Sequence, residues 1–368
     1  MPKSAGISFQ PSRGTFTGRG ARSNESGRFE AEKRIHVDDG WDREKDGQAP
    51  KTEVALEPAK SIITFNDSPF VGFDRSINPY RGCEHGCVYC FARPTHAYLG
   101  MSPGEDFERK LIAKPGAAQL LRKELKSKSY KLRTIAIGTN TDPYQPIEKR
   151  FRIMRQILEV LLEFKHPVSI LTKSDLILRD LDLLKELAAL NLVRAMVSIT
   201  TLDRRLAHAM EPRAPTPQKR LEAVRRLSEA GIPTGSVHGP MIPGLSDHEL
   251  ESLMAEARSA GACFTAYTLL WLPREVGPLF EEWLDAVAPS SKAKVLGHIR
   301  KINGGKLYDI ERSRGAGPKG AYADLLSARF HAAEKRLGFG RMPPMSIEHF
   351  SPPMEISPQG DLFGENPA

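Results

Sequence analysis

The chain has 368 residues, of which 53 are Lys or Arg and 45 are Asp or Glu, so its net charge is +8. A hydrophobic content of 40% and a charged content of 27% are those of a globular protein with room for one large α/β domain with appendages or two small domains. The apolar stretches are too short for a membrane-spanning helix, and the basic balance permits a polyanionic partner without requiring one.

The first 60 residues are rich in Gly, Ser, Arg and acidic residues, with few aromatics and no sustained periodicity. Such a segment buries too little apolar surface to offset the entropy of ordering it, so residues 1–60 are predicted to be a disordered tail. Its basic, glycine-rich part, from Arg13 to Arg22, could contact RNA or DNA, although a plain flexible tail is the simpler interpretation. The first residues, from Met1 to Gly6, lack the apolar core of a secretory signal.

Strand-like and helix-like segments then alternate, which predicts right-handed βαβ units and a parallel sheet. With the strand before a cysteine-rich loop there are six units, so the predicted fold is α/β, a partial (β/α)6 TIM-like barrel over residues 61–275. A helical extension (276–345) and a flexible tail (346–368) are predicted to follow. The predicted strands are Leu132–Gly138, Pro167–Thr172, Val193–Thr200, Pro233–His238 and Phe264–Leu270; the predicted helices are Glu148–Phe164, Asp180–Leu190, Thr216–Ala230, Asp247–Ala260, Leu279–Val287 and Ala321–Leu337.

Three cysteines, Cys83, Cys87 and Cys90, stand in one loop with the spacing C-x3-C-x2-C. Three thiolates on one loop can hold three irons of a [4Fe–4S] cluster and leave the fourth iron open for a substrate or cofactor. The alternative is a structural zinc site completed by His85 or His96, but no second cysteine pair is present to support it.

The remaining cysteine and the histidine of the cysteine loop are given structural interpretations. The fourth cysteine, Cys263, opens a predicted strand and is interpreted as a buried structural thiol, so the four cysteines do not indicate a disulfide framework. His85, inside the cysteine loop, is interpreted as a solvated side chain. Free thiols and an oxygen-sensitive cluster both favour a reducing cytoplasm.

The cysteine loop, with Tyr89 as the aromatic residue before the third cysteine, resembles the signature loop of the radical S-adenosylmethionine (SAM) superfamily. Several segments are similar to the spore photoproduct lyase-like branch, in particular to a bacterial subgroup: 134–144, 171–174, 197–201 and 210–213, followed by 219–220 and 230–231. The resemblance implies that the open iron chelates SAM and that one electron cleaves it to methionine and a 5′-deoxyadenosyl radical. It also implies an external one-electron donor such as flavodoxin or ferredoxin.

The resemblance implies roles for side chains at the C-terminal ends of the strands, where such a barrel carries its chemistry. Tyr89 would lie against the adenine, and Lys173 would pair with the SAM carboxylate. Ser198 would lie near the ribose or methionine end, with Thr200 as a weaker candidate. A surface lysine and small residues packing a tapering barrel are the structural alternatives. The turn that would receive the SAM ammonium contains Asn140, Thr141 and Asp142. Glu211 belongs to the resemblance without an assigned step.

Two positions depart from the branch. Spore photoproduct lyases carry a tyrosine directly after the third cluster cysteine and a cysteine in the turn after the second strand. Here Phe91 occupies the first place, and the turn 138–142 contains no cysteine. The hydrogen relay of those enzymes is therefore missing, and cleavage of spore photoproduct by that route is not expected.

The leading hypothesis is a radical SAM enzyme for repair or modification of a nucleic acid or nucleotide. The alternatives are the same radical chemistry on a protein or small metabolite, and a non-catalytic iron–sulfur protein for electron transfer or binding. Basic residues over 121–133 and 300–341 favour DNA or RNA as a partner, although a solvated helix end explains the first run. The peptide from Gln359 to Phe363 is similar to peptides that dock on the sliding clamp, with Gly360 in place of the usual leucine.

Overall fold

The computed structural model describes residues 19–30, 51–67, 72–313 and 317–352. Most of the strands belong to one large sheet, and three form a small sheet beside it. The strands are β1 (Glu53–Leu56), β2 (Ile63–Phe65), β3 (Arg75–Ile77), β4 (Tyr80–Arg81), β5 (Lys110–Ala113), β6 (Ile135–Ile137), β7 (Val168–Thr172), β8 (Val193–Ser198), β9 (Thr234–Met241) and β10 (Phe264–Leu269).

The large sheet has the order β10-β9-β8-β7-β6-β3-β2. Its six strands from β3 to β10 pair in parallel, and β2 adds an antiparallel edge to β3. Strands β3 and β6 are buried along their whole length because helices cover the outside and side chains fill the inside. This confirms the predicted α/β fold with six βα units in a partial barrel, which leaves β10 and β2 as its two edges.

Helices follow the strands along the chain. They are α1 (Asp106–Arg109), α2 (Ala117–Leu125), α3 (Glu148–Phe151), α4 (Ile153–Glu163), α5 (Leu181–Ala189), α6 (Arg204–Met210), α7 (Pro217–Glu229), α8 (Leu250–Ser259), α9 (Val276–Val287), α10 (Pro289–Ile302), α11 (Ile310–Ser313) and α12 (Ala321–Leu337). The single helix predicted over 148–164 is two helices, because Arg152 adopts the left-handed conformation with φ 52° between them. The helix α10 was not predicted.

The small sheet has the order β1-β5-β4 and supports the start of the cysteine loop. Residues 19–21 also lie against this region: the N–H groups of Gly20 and Ala21 donate to the Glu108 carboxylate at 2.9 and 2.8 Å, and Arg19 donates to the Glu108 carbonyl at 2.8 Å. These contacts fall inside the range predicted as a tail. Composition cannot predict these contacts, because the backbone N–H groups bind the carboxylate of Glu108, which is distant in the sequence. The predicted domain boundaries stay predictions.

Helices α9 and α10 form a second apolar core on one side of the barrel, whereas α12 packs into the main core. Trp283 of α9 is buried, and its indole N–H donates to the carbonyl of Ala209 at 2.8 Å. Helix α12 packs on α8, where Arg329 forms an ion pair with Glu251 at 2.6 Å. The apolar core of α9 and α10 also includes Val88 in the cysteine loop, so these two helices pack against that loop. No helix in the described ranges is both long and apolar enough to cross a membrane.

Candidate active site

The three cysteines lie on a loop that two left-handed glycines bend tightly. Cys83 and Cys87 are buried, Cys90 is half-buried, and all three thiols are free. Gly82 and Gly86 have φ values of 76° and 68°. A Cβ at these positions would also lie 2.6 and 2.7 Å from a neighbouring side chain, so both the backbone conformation and the packing require glycine.

Two polar side chains from the turn after β6 hold the loop in place. The carbonyl of Gly82 accepts hydrogen bonds from the Thr141 hydroxyl at 2.6 Å and from the Gln145 amide at 3.2 Å. The Gln145 carbonyl oxygen in turn accepts from the backbone N–H of Glu84 at 2.9 Å. Gln145 is fully buried, so its amide joins the cysteine loop to the next barrel strand.

Burial keeps the three thiols protonated in the free protein. It raises the pKa of Cys83 and of Cys90, and burial together with the Glu211 carboxylate raises the pKa of Cys87 to about 12. A metal centre bound here would take the place of these protons, because the thiolate is the form that ligates a metal.

The zinc alternative fits less well. Among the described side chains, no group of three or more His, Cys, Asp and Glu is arranged to hold a single metal ion. His96 is engaged elsewhere, because its Nε2 lies 2.9 Å from the carbonyl of Lys110. A four-iron core needs only three protein thiolates and leaves its fourth iron open, so the three loop cysteines match it without a further ligand.

Asp142 connects the cysteine loop to the end of β7. Its carboxylate accepts hydrogen bonds from the Thr172 hydroxyl at 2.6 Å and the backbone N–H of Lys173 at 2.7 Å, and it lies 3.3 Å from Nδ1 of His85. Burial alone would raise the pKa of Asp142, but His85 and these donors lower it to about 2. The interpretation of His85 as a solvated side chain is wrong: it is 1% exposed, because its loop folds inward over the barrel.

Lys173 lies at the end of β7, close to Ser198, Glu211 and Tyr89. Its ammonium donates to the Ser198 hydroxyl at 3.0 Å and lies 3.9 Å from the nearer carboxylate oxygen of Glu211. It also lies 5.9 Å from the centre of the Tyr89 ring, within the range of a cation–π contact. The C-terminal ends of β7 and β8 and the cysteine loop therefore meet at one point.

Glu211 is the centre of this group. Its carboxylate accepts hydrogen bonds from the Tyr89 hydroxyl and from the Thr200 hydroxyl, the latter at 3.0 Å, and it forms a buried ion pair with Arg220. Burial would raise the pKa of Glu211, but Arg220 and Lys173 lower it to about 2, so the carboxylate is ionised at neutral pH. Burial, followed by the Glu211 charge, raises the pKa of Tyr89 well above its usual value.

The structure therefore separates the predicted site residues into three groups. Tyr89, Lys173, Ser198 and Thr200 converge around Glu211. Thr141 and Asp142 face the cysteine loop and the end of β7, with their side chains occupied by protein partners. Asn140 is exposed, and it lines a cavity of about 430 Å³ on the side of β2 and β3.

Sequence reasoning missed two residues that organise this region. Gln145 follows the turn 138–142, but a glutamine between two prolines carries no signal for bracing a distant loop. Arg220 belongs to a segment that resembles the branch, yet its partner lies on another element. Cys263 was interpreted as buried and is exposed; its thiol donates to the carbonyl of Thr234 at 3.3 Å, because it precedes the edge strand β10.

Comparison with known proteins identifies the family. Residues 77–257 match the radical SAM superfamily. An uncharacterised protein of Mycobacterium tuberculosis is 39% identical over 219 residues, which cover 59% of this chain and 64% of the relative, so the chain spans less than two thirds of that relative's length. An uncharacterised protein of Methanocaldococcus jannaschii is 32% identical over 200 residues, 54% of this chain and 71% of the relative.

A radical SAM Nα-GlyT isomerase of Pseudomonas phage M6 is 28% identical over 176 residues, 46% of this chain and 34% of the relative. Among solved structures, spore photoproduct lyase with AdoMet and the dinucleoside spore photoproduct bound superposes with a TM-score of 0.56. That match covers 78% of this chain and 80% of the lyase at 14% sequence identity, so it shows a shared fold. The chain belongs to the radical SAM superfamily, with the fold of its spore photoproduct lyase-like branch, and the cofactors of that family are a [4Fe–4S] cluster and SAM.

Proposed function

We propose that this protein reductively cleaves SAM at a [4Fe–4S] cluster held by Cys83, Cys87 and Cys90, in order to repair or modify a nucleic acid or nucleotide. When bound, a cluster with one open iron supplies the electron that splits SAM into methionine and a 5′-deoxyadenosyl radical. The observation that carries the proposal is the position of the cysteine loop next to the ends of β7 and β8. There the Lys173 ammonium lies beside both the Ser198 hydroxyl and the ring of Tyr89 in the loop.

Each of these side chains has a proposed task. Lys173 has a hydroxyl partner at 3.0 Å and a carboxylate only at 3.9 Å, so its charge can pair with the carboxylate of SAM. Ser198 orients the lysine and lies near the ribose or methionine end. Tyr89 presents its ring to the adenine, while Glu211 fixes its hydroxyl.

The other predicted site residues receive positioning tasks. The side chains of Thr141 and Asp142 are occupied by the cysteine loop and by β7, so they shape the turn whose backbone faces the SAM ammonium. Thr200 acts through its hydrogen bond to Glu211. Asn140, which is exposed at the same turn, remains available for a direct contact.

Two observations support a nucleic acid or nucleotide as the substrate. The net charge of +8 permits a polyanionic partner. The structurally similar spore photoproduct lyase binds a dinucleoside. With Phe91 in place of a tyrosine that could return hydrogen, we propose a reaction other than spore photoproduct cleavage through that relay.

Radical SAM enzymes take their electron from an external donor, and we propose flavodoxin or ferredoxin for this role. The free thiols and the oxygen-sensitive cluster support a cytoplasmic location. The candidate clamp-docking peptide from Gln359 to Phe363 lies outside the described residues and stays a proposal.

The experiment is anaerobic reconstitution followed by dithionite and SAM. Wild-type protein should form 5′-deoxyadenosine, Cys83→Ala should lose both iron and product, and Cys263→Ser should keep both. A cluster that assembles but whose EPR spectrum does not respond to SAM would instead support an electron carrier. Binding to DNA or RNA that falls steeply with salt would support the proposed substrate class, whereas negligible binding would favour a protein or metabolite substrate.

A further inference from the structure

A row of three aromatic rings begins at the cysteine loop with an exposed phenylalanine. Phe91 follows Cys90 directly and is 53% exposed. Its ring centre lies 6.3 Å from that of Trp271, just beyond the end of β10, and Trp271 lies 6.1 Å from Tyr308. The interplanar angles of 34° and 40° leave the rings tilted, and Trp271 and Tyr308 are half-buried.

A second aromatic pair joins Tyr98, in the short 3-10 helix Arg93–Leu99 after the same loop, to Phe29 of the N-terminal segment. Tyr98 is 65% exposed and lies 5.2 Å from Phe29, which is 58% exposed. The Arg28 guanidinium lies 5.2 and 5.6 Å from the two ring centres and pairs with Glu275 at 2.5 Å. Because Glu275 follows Trp271 by four positions, this ion pair links the aromatic pair to the segment that carries the aromatic row.

The placement of these rings is selective. Four aromatic side chains are largely exposed in the described part of the chain, and three of them, Phe29, Phe91 and Tyr98, belong to this group. The fourth, Phe65, lies on β2 at the opposite edge of the large sheet. Exposed apolar groups gathered at one place mark a binding surface more often than scattered ones do.

The charge around the rings indicates what occupies this surface. Arg28 lies over two of the rings, and Arg274 and Lys306, three and two residues from Trp271 and Tyr308, are exposed. Flat apolar faces flanked by cations are the arrangement that binds an unpaired nucleic acid strand, because bases stack on the rings and phosphates pair with the cations. Arg28 is already paired with Glu275, so Arg274 and Lys306 are the cations that would meet the phosphates.

We propose that this aromatic rim, formed by Phe29, Phe91, Tyr98, Trp271 and Tyr308, stacks the unpaired bases of a nucleic acid strand next to the cysteine loop. The proposal rests on the proposed function and narrows its substrate to a single strand or an unpaired region. Phe91 receives the base nearest the site, and the other rings hold flanking bases. Stacking tolerates any base sequence, so specificity for the reacting nucleotide comes from elsewhere in the site.

The test measures fluorescence anisotropy of a labelled oligothymidylate strand with the reconstituted protein over a series of salt concentrations. Phe91→Leu and Trp271→Leu keep apolar bulk but remove the aromatic face. Each should weaken binding by roughly 5- to 150-fold, the range for loss of one stacked base. Trp271→Phe should restore most of the affinity, and Phe65→Leu at the far sheet edge should bind as the wild type does.

The salt dependence separates stacking from a general loss of structure. The leucine variants should keep the slope of log affinity against log salt, because phosphate contacts remain, whereas Lys306→Ala should make the slope shallower. An oligouridylate strand and a duplex of the same length provide the comparison arms. Equal binding of the DNA and RNA strands would show that the rings stack bases whichever sugar carries them. Tighter binding of the duplex would overturn the proposal.

The outcomes distinguish this proposal from the proposed function. If wild-type protein binds the strands and the leucine variants bind equally well, the aromatic rim is wrong while the nucleic acid function stands. If the wild type binds no strand at any salt concentration, both fail. Loss of affinity in both leucine variants with recovery in Trp271→Phe supports the rim.

Discussion

The hydroxyl of Tyr89 donates to the carboxylate of Glu211, although 122 positions separate the two residues. This contact ties the cysteine loop to the segment after α6. Arg220 holds the same carboxylate from α7, and Lys173 lies 3.9 Å from it. One buried acid therefore sets the position of an aromatic ring and a lysine that are both proposed to contact SAM.

Replacement of Glu211 by Gln should destabilise the protein strongly. The amide keeps the shape of the side chain but leaves Arg220 as a buried charge without its partner, which costs about 3–5 kcal/mol. The measurement is urea unfolding under reducing conditions. The double variant Glu211→Gln with Arg220→Met should recover part of the loss, because the unpaired charge is gone. A single variant as stable as the wild type would show that the ion pair contributes little.

Replacement of Lys173 by Ala should weaken SAM binding while the cluster remains. A hydrogen bond to a charged group contributes about 1.5–3 kcal/mol, so affinity should fall by roughly tenfold or more. Anaerobic equilibrium dialysis with SAM, together with iron quantification, checks this. Lys219→Ala provides the control, because that lysine is largely exposed on α7. Unchanged SAM affinity in Lys173→Ala would rule out the proposed contact.

The sequence was sufficient to predict the barrel and the meeting of its strand ends. Apolar, β-branched runs alternate with helical patterns, so six parallel strands followed, and side chains at neighbouring strand ends had to be close. Lys173 and Ser198, 25 positions apart, accordingly lie 3.0 Å from each other. These two residues are set by the local pattern and by the general rule for parallel sheets.

Features that depend on long-range contacts could not be predicted in this way. The burial of His85 follows from the folding of its loop over Asp142, and the break between α3 and α4 lies at Arg152, which is left-handed. No local pattern around Gln145 indicates that it would hold Gly82. The partner in each case comes from another element, and a single sequence contains no record of that pairing.

Acid should destabilise the protein well above the pH at which its carboxylates titrate. Burial lowers the pKa of His166 and of His238 to about 4, whereas an unfolded histidine has a pKa of about 6.5. The unfolded chain therefore binds more protons between these values, so stability is full above pH 6.5 and falls as the pH drops toward 4. Each histidine should cost about 2 kcal/mol by pH 5.

Urea unfolding at pH 7 and pH 5 measures this difference. His238→Gln cannot bind the proton, so its stability should change less between the two pH values than that of the wild type. His331→Gln provides the control, since that histidine is exposed on α12. Equal pH dependence in His238→Gln and the wild type would show that His238 is not kept neutral by burial.

The segment around Gly20 covers the outside of the cysteine loop. The backbone N–H groups of Gly20 and Ala21 donate to the carboxylate of Glu108, which also pairs with Arg93 at 2.5 Å. A Cβ at Gly20 would overlap the carbonyl oxygen of Gly86. Backbone approaches this closely only where the residue has no side chain, so the segment and the loop depend on glycine at this position.

Replacement of Gly20 by Val should therefore displace this segment from the loop and expose the cluster to solvent. The expected result is faster bleaching of the reconstituted cluster in air, followed by its visible absorbance, with little change in global unfolding because the barrel core is untouched. Gly72→Val provides the matched control, since a Cβ there meets no atom within 4 Å. If both variants bleach at the wild-type rate, residues 19–21 do not protect the loop; if Gly20→Val alone bleaches faster, the contact between Gly20 and Gly86 is what keeps oxygen from the thiolates.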